Sequence, residues 1–148
     1  SEITELRCIL EPLALTKSIE AGGDDWESTL VLAHHKLTKL EKKSSGAIGL
    51  PNIEWPSAHK KFHEALVNSC PSKNLLVMRE SLFKQSERYR FLASSMSSKK
   101  RNPIKEHKDL FEAAIDRNTQ LASTLITEHL NLTAKNLHEI LLDKRLAL

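Results

Sequence analysis

The sequence predicts an all-α domain, an antiparallel bundle of about six helices, and three observations lead to this prediction. Apolar residues recur every three or four positions along most of the chain, and few stretches alternate with period two. Glycine and proline are scarce, with 4 and 5 among 148 residues. Hydrophobic residues make up 40% of the chain and aromatic ones only 5%, so the core must be mainly aliphatic. The length suits one compact domain, which we assign to residues 1–148.

The first two helices are predicted on either side of Gly22 and Gly23. This glycine pair is expected to end the first helix in the left-handed cap geometry. Asp24 or Asp25 can cap the second helix. The predicted inward stripe of the first helix consists of Ile3, Leu6, Leu10 and Leu13. That of the second helix consists of Leu30, Ala33, Leu37 and Leu40. Residues 44–51 are predicted to form a loop.

The third and fourth helices are predicted on either side of Pro71, which cannot continue a helix. The third runs over about residues 56–70, and Ser72 can cap the fourth. The predicted inward residues of the third helix are Phe62, Leu66 and Val67. The predicted apolar face of the fourth consists of Leu75, Leu76, Met78, Leu82, Phe83, Tyr89, Phe91 and Leu92. Residues 94–102 are predicted to form a polar loop.

The fifth and sixth helices complete the predicted bundle. Asn102 followed by Pro103 is typical of a helix start, with a cap and then proline at the first helical position. Asn118 is expected to take the left-handed stop position, and Thr119 to cap the last helix. The predicted inward residues of the fifth helix are Leu110, Phe111, Ala114 and Ile115. Those of the sixth are Leu121, Leu125, Ile126, Leu130 and Leu137.

Charge and cysteine content restrict the class of protein. The net charge is only +3, and the basic run at residues 99–101 is expected to be a solvated loop, so the chain is a poor candidate to bind DNA by itself. Cys8 and Cys70 are far apart, which argues against a disulfide framework and fits a reducing cytoplasm. No apolar stretch of about 18 residues predicts a membrane span. Because helical patterning begins at the first residue, we expect a fragment of a longer protein.

Four of the seven histidines are predicted to project from apolar helix faces. His59 and His63 are four residues apart, which places their Cβ atoms about 5–6 Å apart on one face. His107 lies one turn before the apolar residues of the fifth helix, and His129 continues the apolar stripe of the sixth. A buried imidazole needs a hydrogen-bond partner or a metal, so satisfied core histidines and a shared metal site both remain open. The other three, at surface or boundary positions, are His34, His35 and His138.

Four segments of the chain carry motifs of one family. Residues 6–14 read LRCILEPLA and resemble a Leu-Arg-x-x-Leu-Glu-x-x-Ala start, and residues 59–66 (HKKFHEAL) resemble Asp-x-x-Phe-His-x-Ala-Leu. Residues 106–115 contain EHKDL and AAI, similar to a Glu-His-x-x-Ile/Leu segment, and residues 128–130 (EHL) resemble a final His-Leu. In this order and spacing the motifs resemble the FCD domain, the ligand-binding domain of FadR-type regulators of the GntR superfamily.

This resemblance implies an architecture and a function for the longer protein. An FCD domain implies an effector-binding domain that forms a homodimer and controls a winged helix-turn-helix DNA-binding domain, expected here before residue 1. Residues 22–26 (GGDDW) and 88–91 (RYRF) are most similar to the branch that represses carbon-starvation and glutarate-related genes. The implied effector is a small mono- or dicarboxylate.

The resemblance also implies a metal site. The family's ligands are an Asp, a His four residues later and two further histidines, which fall by motif on His59, His63, His107 and His129. The chain departs from the pattern at His59, where many members have the carboxylate. An imidazole still ligates, but the lost negative charge shifts the preference toward zinc, nickel or copper over manganese, and it also leaves room for a metal-free site. Zinc or nickel is the expected ion.

Three arginines are candidates for effector binding. The family often places the arginine corresponding to Arg7 near its effector, although Arg7 can instead form an i, i+4 pair with Glu11. Arg88 and Arg90 can also contribute, because a guanidinium suits bidentate carboxylate binding. The alternative is that both arginines are exposed on a long helix and do not contact an effector.

A ligand sensor is therefore the leading functional hypothesis. A helical-bundle metalloenzyme is the alternative, but the chain has neither a His-Glu-x-x-His nor a paired Glu-x-x-His pattern. A purely structural dimerisation domain is the third. The sequence thus predicts a regulator domain and no enzyme.

Overall fold

The computed structural model describes residues 1–44, 53–93 and 102–146, and these form an all-α domain of six helices. The helices are α1 (Glu2–Ala21), α2 (Asp24–Ser44), α3 (Trp55–Val67), α4 (Lys73–Ala93), α5 (Pro103–Ile115) and α6 (Thr119–Leu146). The predicted fold class and number of helices are confirmed. Most of the two predicted loops, including the basic run at 99–101, lies outside the described residues, as do the side chains of Phe91 and Leu92. No described helix combines the length and apolar character needed to cross a membrane.

Two predicted helix starts are confirmed by side-chain capping. Asn102 Oδ1 accepts a hydrogen bond from the backbone N–H of Lys105 at 3.1 Å, with Pro103 as the first residue of α5. Ser72 Oγ accepts one from the backbone N–H of Leu75 at 3.3 Å, before α4. These caps satisfy amide groups that lack partners within the helix.

Two predicted assignments between α5 and α6 are wrong by one residue. Arg117, not Asn118, has the left-handed conformation, with φ of 60°. Asn118, not Thr119, caps α6, because its Oδ1 accepts from the backbone N–H of Leu121 at 3.1 Å. The Arg117 guanidinium donates to the carbonyl oxygens of Ile19 and Gly22 at the end of α1, and these bonds hold the unusual conformation in place.

Gly22 ends α1 for a different reason from the one predicted. Its φ of −70° and ψ of 136° are extended rather than left-handed. A Cβ at Gly22 would lie 2.7–2.8 Å from the Trp26 ring, which is held in place by a hydrogen bond from Nε1 to the Leu66 carbonyl at 3.2 Å. The position therefore requires glycine because an aromatic ring packs directly against its Cα.

The two glycines should respond differently to the same substitution. We expect Gly22→Ser to lower the free energy of unfolding by about 1–3 kcal/mol, because the new Cβ and the Trp26 ring must move apart. Gly23→Ser is the matched control, since a Cβ at Gly23 meets nothing within 4 Å. Urea unfolding followed by circular dichroism measures both. Equal effects would contradict this account of Gly22.

The predicted inward stripe of α1 is wrong for Leu6 and Leu13, whereas Leu10 is partly buried against the core. Leu6 and Leu13 are 41% and 46% exposed, and the buried face includes Arg7 and Glu11. α1 packs against α3, α4 and α6, so residues on several sides of it are covered. The full buried set is Arg7, Glu11, Ala14, Leu15, Ser18 and Ile19. Apolar periodicity failed here because Arg7 and Glu11 share the inner face with the apolar residues.

Elsewhere the predicted core is partly confirmed. Leu30 and Leu37 of α2 and Phe62 of α3 are fully buried. Predicted inward residues that are instead exposed are Met78, Tyr89 and Leu121. Cys8 and Cys70 are free thiols, as expected. The histidines lie where four helices meet: α2 packs against α3 and α5, and α5 packs against α6.

Candidate metal centre

The four predicted histidines converge in the core. His59 and His63 come from α3, His107 from α5 and His129 from α6, and each offers one ring nitrogen within 4.8 Å of the others. Their exposed fractions are 2%, 2%, 1% and 4%. The i, i+4 spacing in α3 aims two imidazoles in one direction, and the packing of α5 against α6 supplies the other two.

Two of the ring nitrogens have nearly the separation that a metal requires. His59 Nε2 and His63 Nε2 are 3.1 Å apart. Zinc–nitrogen bonds of about 2.0–2.1 Å place two tetrahedral ligands about 3.3 Å apart. The widest separation within the cluster, 4.8 Å, would shorten when an ion draws the rings together.

Two carboxylates orient the other two imidazoles. Glu41 Oε1 lies 3.0 Å from His107 Nδ1, and Glu106 Oε1 lies 2.8 Å from His129 Nδ1. When Nδ1–H donates to a carboxylate, the lone pair is on Nε2, which is the tautomer that binds a metal there. His107 Nε2 is buried and has no hydrogen-bond partner among the described residues. A metal ion is a partner that would satisfy this nitrogen.

The electrostatics also suit metal ligation. Burial lowers the pKa of His59 well below its usual 6.5, and the Arg90 guanidinium lowers it further. Burial likewise lowers the pKa of His63 well below 6.5, with His129 as the next cause. Both rings are therefore neutral at neutral pH, as a coordinating imidazole must be. The donor set, its burial and its carboxylate partners all fit a divalent ion.

The lowered pKa values predict acid sensitivity of the metal-free protein. Below about pH 6.5 the unfolded chain binds protons at His59 and His63, whereas the folded chain does not until much lower pH. Stability is therefore fully present above about pH 7.5 and falls as the pH drops through 6.5, by up to about 1.4 kcal/mol per unit for each histidine. Urea unfolding with a chelator at pH 5.5–7.5 measures this slope. The slope should be shallower for His63→Ala, and an equal slope would contradict the assignment.

Arg90 lies at the edge of the histidine cluster. Its Nη1 is 2.8 Å from Nδ1 and 3.0 Å from Nε2 of His59. The guanidinium also lies over the Trp55 ring at 5.3 Å and is 3.4 Å from Glu87 Oε1. Trp55 in turn stacks on His59 at 4.4 Å. A half-buried cation therefore adjoins the ring nitrogens that would hold the metal.

Arg7 is buried in an ion-pair cluster that the sequence only partly predicts. Its Nη2 is 3.0 Å from Glu11 Oε1, which is the i, i+4 alternative, and its Nη1 donates to Ser86 Oγ at 2.9 Å. Arg79 Nε donates to Glu11 Oε2 at 2.8 Å. Arg88, the remaining predicted effector ligand, occupies an exposed position on α4.

Three charged residues near the site were missed by sequence reasoning. Glu41 follows the apolar stripe of α2 by one position, and Glu106 stands directly before His107. Arg79 lies four residues from both Leu75 and Phe83 and so continues their buried face. Each of these residues occupies a helical position in line with apolar residues of its own helix. That spacing was the sequence signal that could have identified them. The predicted outer histidines do lie at exposed or boundary positions: His34, His35 and His138.

The fold and the site together define an all-α domain with a buried histidine cluster flanked by buried arginines. The chain belongs to the FCD domain family, whose model matches residues 2–132. This is the family that the sequence motifs resembled.

Two curated relatives are regulators of transcription. The HTH-type transcriptional repressor GlaR of Escherichia coli (strain K12) is 35% identical over 136 residues, which span 87% of this chain and 60% of the relative. The uncharacterized HTH-type transcriptional regulator BphR of Paraburkholderia xenovorans (strain LB400) is 31% identical over 130 residues, 87% of this chain and 53% of the relative. The chain thus spans little more than half the length of these relatives, neither of which is described as an enzyme.

A solved structure has the same fold. The crystal structure of a GntR-family transcriptional regulator from Pseudomonas syringae pv. tomato str. DC3000 matches with a TM-score of 0.81 and 21% identity. The match covers 99% of this chain and 58% of that chain. At this level of identity the likeness supports the fold.

Proposed function

We propose that this chain is the metabolite-sensing domain of a GntR-type transcription regulator that binds a small carboxylate beside a divalent metal. The observation that carries the proposal is the convergence of four buried imidazoles, two of which are paired with carboxylates. The family and the regulators among its relatives favour a sensor over the alternative of a helical-bundle metalloenzyme.

The metal ligands in this proposal are His59, His63, His107 and His129. Four neutral nitrogen donors favour zinc or nickel over metals that prefer oxygen ligands. Glu41 and Glu106 would fix the imidazole tautomers and offset the charge of the ion. When bound, the ion would supply a Lewis-acidic position for a carboxylate oxygen.

The effector is proposed to lie between the metal centre and Arg7, with Arg90 as a further contact. Arg90 adjoins His59, and Arg7 lies over the Phe83 ring, whose centre is 6.0 Å from that of His63. A guanidinium offers a planar pair of donors to a carboxylate. Arg88 remains a candidate from sequence resemblance alone.

Regulation requires that the effector distinguish two conformations. In the longer protein, ligand binding here would bias a winged helix-turn-helix domain preceding residue 1 and so control its affinity for DNA in the cytoplasm. The exposed residues Leu6, Ile9 and Leu13 form an apolar stripe on α1, which supports the proposed homodimer. A full-length protein that is strictly monomeric would remove the dimer from the proposal.

Calorimetry of the zinc-loaded domain tests the sensor function. We expect one or more straight-chain C4–C6 dicarboxylates or short hydroxy acids to bind the wild type. Arg7→Ala should weaken this binding roughly 10–150-fold, the loss of one charge-assisted contact. Thermal melting checks that the variant is folded. Equal binding to both proteins would remove Arg7 from the site, and failure of every acid to bind while an uncharged ligand binds would overturn the carboxylate sensor.

A further inference from the structure

The buried cluster of Arg7, Glu11 and Arg79 has one carboxylate for two guanidiniums. The exposed fractions of these residues are 7%, 2% and 3%. Glu11 uses Oε1 for Arg7 and Oε2 for Arg79, at 3.0 and 2.8 Å. Both carboxylate oxygens are therefore engaged, and one positive charge of the cluster is left without a counter-charge inside it.

Two hydrogen-bond donors of the cluster also lack an acceptor in the part of the chain that the structure describes. Arg7 Nε and Arg79 Nη2 are buried and have no hydrogen-bond partner among the described residues. Buried polar groups are normally paired, and a buried charge is costly unless it is both paired and hydrogen-bonded. Two unpaired donors on two cations suit an anion with at least two acceptor oxygens, which is the chemistry of a carboxylate.

No other buried acid can serve as the missing partner. Glu11 and Glu41 are the only buried acidic residues in the part of the chain that the structure describes, and Glu41 is hydrogen-bonded to His107. At the edge of the histidine cluster, Arg90 already has Glu87 at 3.4 Å. The excess charge is thus local to the two arginines on α1 and α4.

Phe83 joins this cluster to the histidines. Both guanidiniums lie 5.2 Å from the centre of the Phe83 ring. The same ring lies 6.0 Å from the His63 ring and 6.3 Å from the His59 ring. One small molecule with an acidic group at each end would therefore contact the metal centre with one group and the arginine pair with the other.

We propose that Arg7, Glu11 and Arg79 form a second anion subsite that takes the far carboxylate of the effector, so that Arg79 makes the sensor selective for dicarboxylates over monocarboxylates. This inference rests on the proposed function, because the near carboxylate is the one held at the metal centre. Glu11 positions the two guanidiniums and leaves their remaining donors to the ligand.

The test compares each dicarboxylate with its own monoamide, which keeps the size and removes one charge. Straight-chain C4, C5 and C6 diacids and their monoamides are titrated calorimetrically into zinc-loaded wild type and Arg79→Met. Arg79→Met retains the Arg7–Glu11 pair and is therefore balanced in charge. Lys84→Met, an exposed position on the same helix, is the control for the loss of a positive charge.

In the wild type and in Lys84→Met, we expect at least one diacid to bind about tenfold or more tightly than its monoamide. In Arg79→Met this ratio should fall close to one while the affinity for the monoamide changes little. A diacid that binds no better than its monoamide, or a ratio that survives in Arg79→Met, overturns the second subsite and leaves the carboxylate sensor standing. If no acid binds the wild type, the proposed function fails, and the subsite fails with it.

Arg79→Lys decides the question if Arg79→Met does not reach the helix content of the wild type. Lysine keeps the charge and loses the planar pair of donors. The ratio of diacid to monoamide affinity should then fall by at least about threefold, in line with the loss of one hydrogen bond. An unchanged ratio in a folded Arg79→Lys overturns the proposal.

Discussion

Replacing His63 with alanine is expected to abolish tight metal binding and with it most of the metal-dependent stability of the domain. An ion that binds only the folded chain adds about 4 kcal/mol to the free energy of unfolding when its free concentration is about 1,000 times its Kd. His63 is buried within the cluster, where its Nε2 is 3.1 Å from His59 Nε2. Without it, three imidazoles remain. The zinc-dependent increment, which is the increase in the free energy of unfolding caused by zinc, should then largely disappear.

The increment is measured as the difference between urea unfolding with excess zinc and with a chelator. Taking this difference within each protein separates metal loss from the cavity that alanine leaves in the core. His138→Ala is the matched control, because His138 is exposed on α6 and lies outside the cluster. A wild-type increment that survives in His63→Ala would contradict the assignment of His63 as a ligand.

Glu11→Gln is expected to destabilise the domain by about 3–5 kcal/mol. Glu11 is the shared partner of Arg7 and Arg79, all three are buried, and removing its charge leaves two guanidiniums close together without a counter-charge. The glutamine amide keeps the shape of the side chain, so the loss reports mainly on charge. Chemical unfolding at neutral pH measures the effect.

Glu5→Gln serves as the control for this substitution. Glu5 is exposed on the same helix, and the neutralised carboxylate there should change stability by no more than about 0.5 kcal/mol. If Glu11→Gln were equally mild, the Arg7–Glu11–Arg79 cluster would not depend on the carboxylate, and the charge argument for the second subsite would lose its basis.

The four clustered histidines were predictable because their pattern is local. The i, i+4 spacing of His59 and His63 fixes one helix face, and His107 and His129 each follow the apolar period of their own helix. What periodicity could not show is that α3, α5 and α6 meet at one point. That step came from the family motifs, and the structure brings the four rings together.

The carboxylate partners were harder to predict because they depend on tertiary contacts. Glu41 lies 66 positions before His107 in the chain, and no local pattern links the two. The inner face of α1 was misjudged for a related reason. Its outward residues Leu6 and Leu13 carry the apolar period, while Arg7 and Glu11 face inward and are stabilised by Arg79 from another helix. Hydrophobic spacing alone does not identify a face on which a buried ion pair takes the place of apolar side chains.

The metal content of the native protein is the most direct test of the central claim. The domain is purified without an affinity tag or chelator, analysed for transition metals and then melted with and without added zinc. The account predicts about one zinc or nickel ion per chain, or a metal-free protein whose melting temperature rises clearly on addition of zinc. A protein that contains no transition metal and melts unchanged in zinc would contradict the metal centre and the sensor built on it.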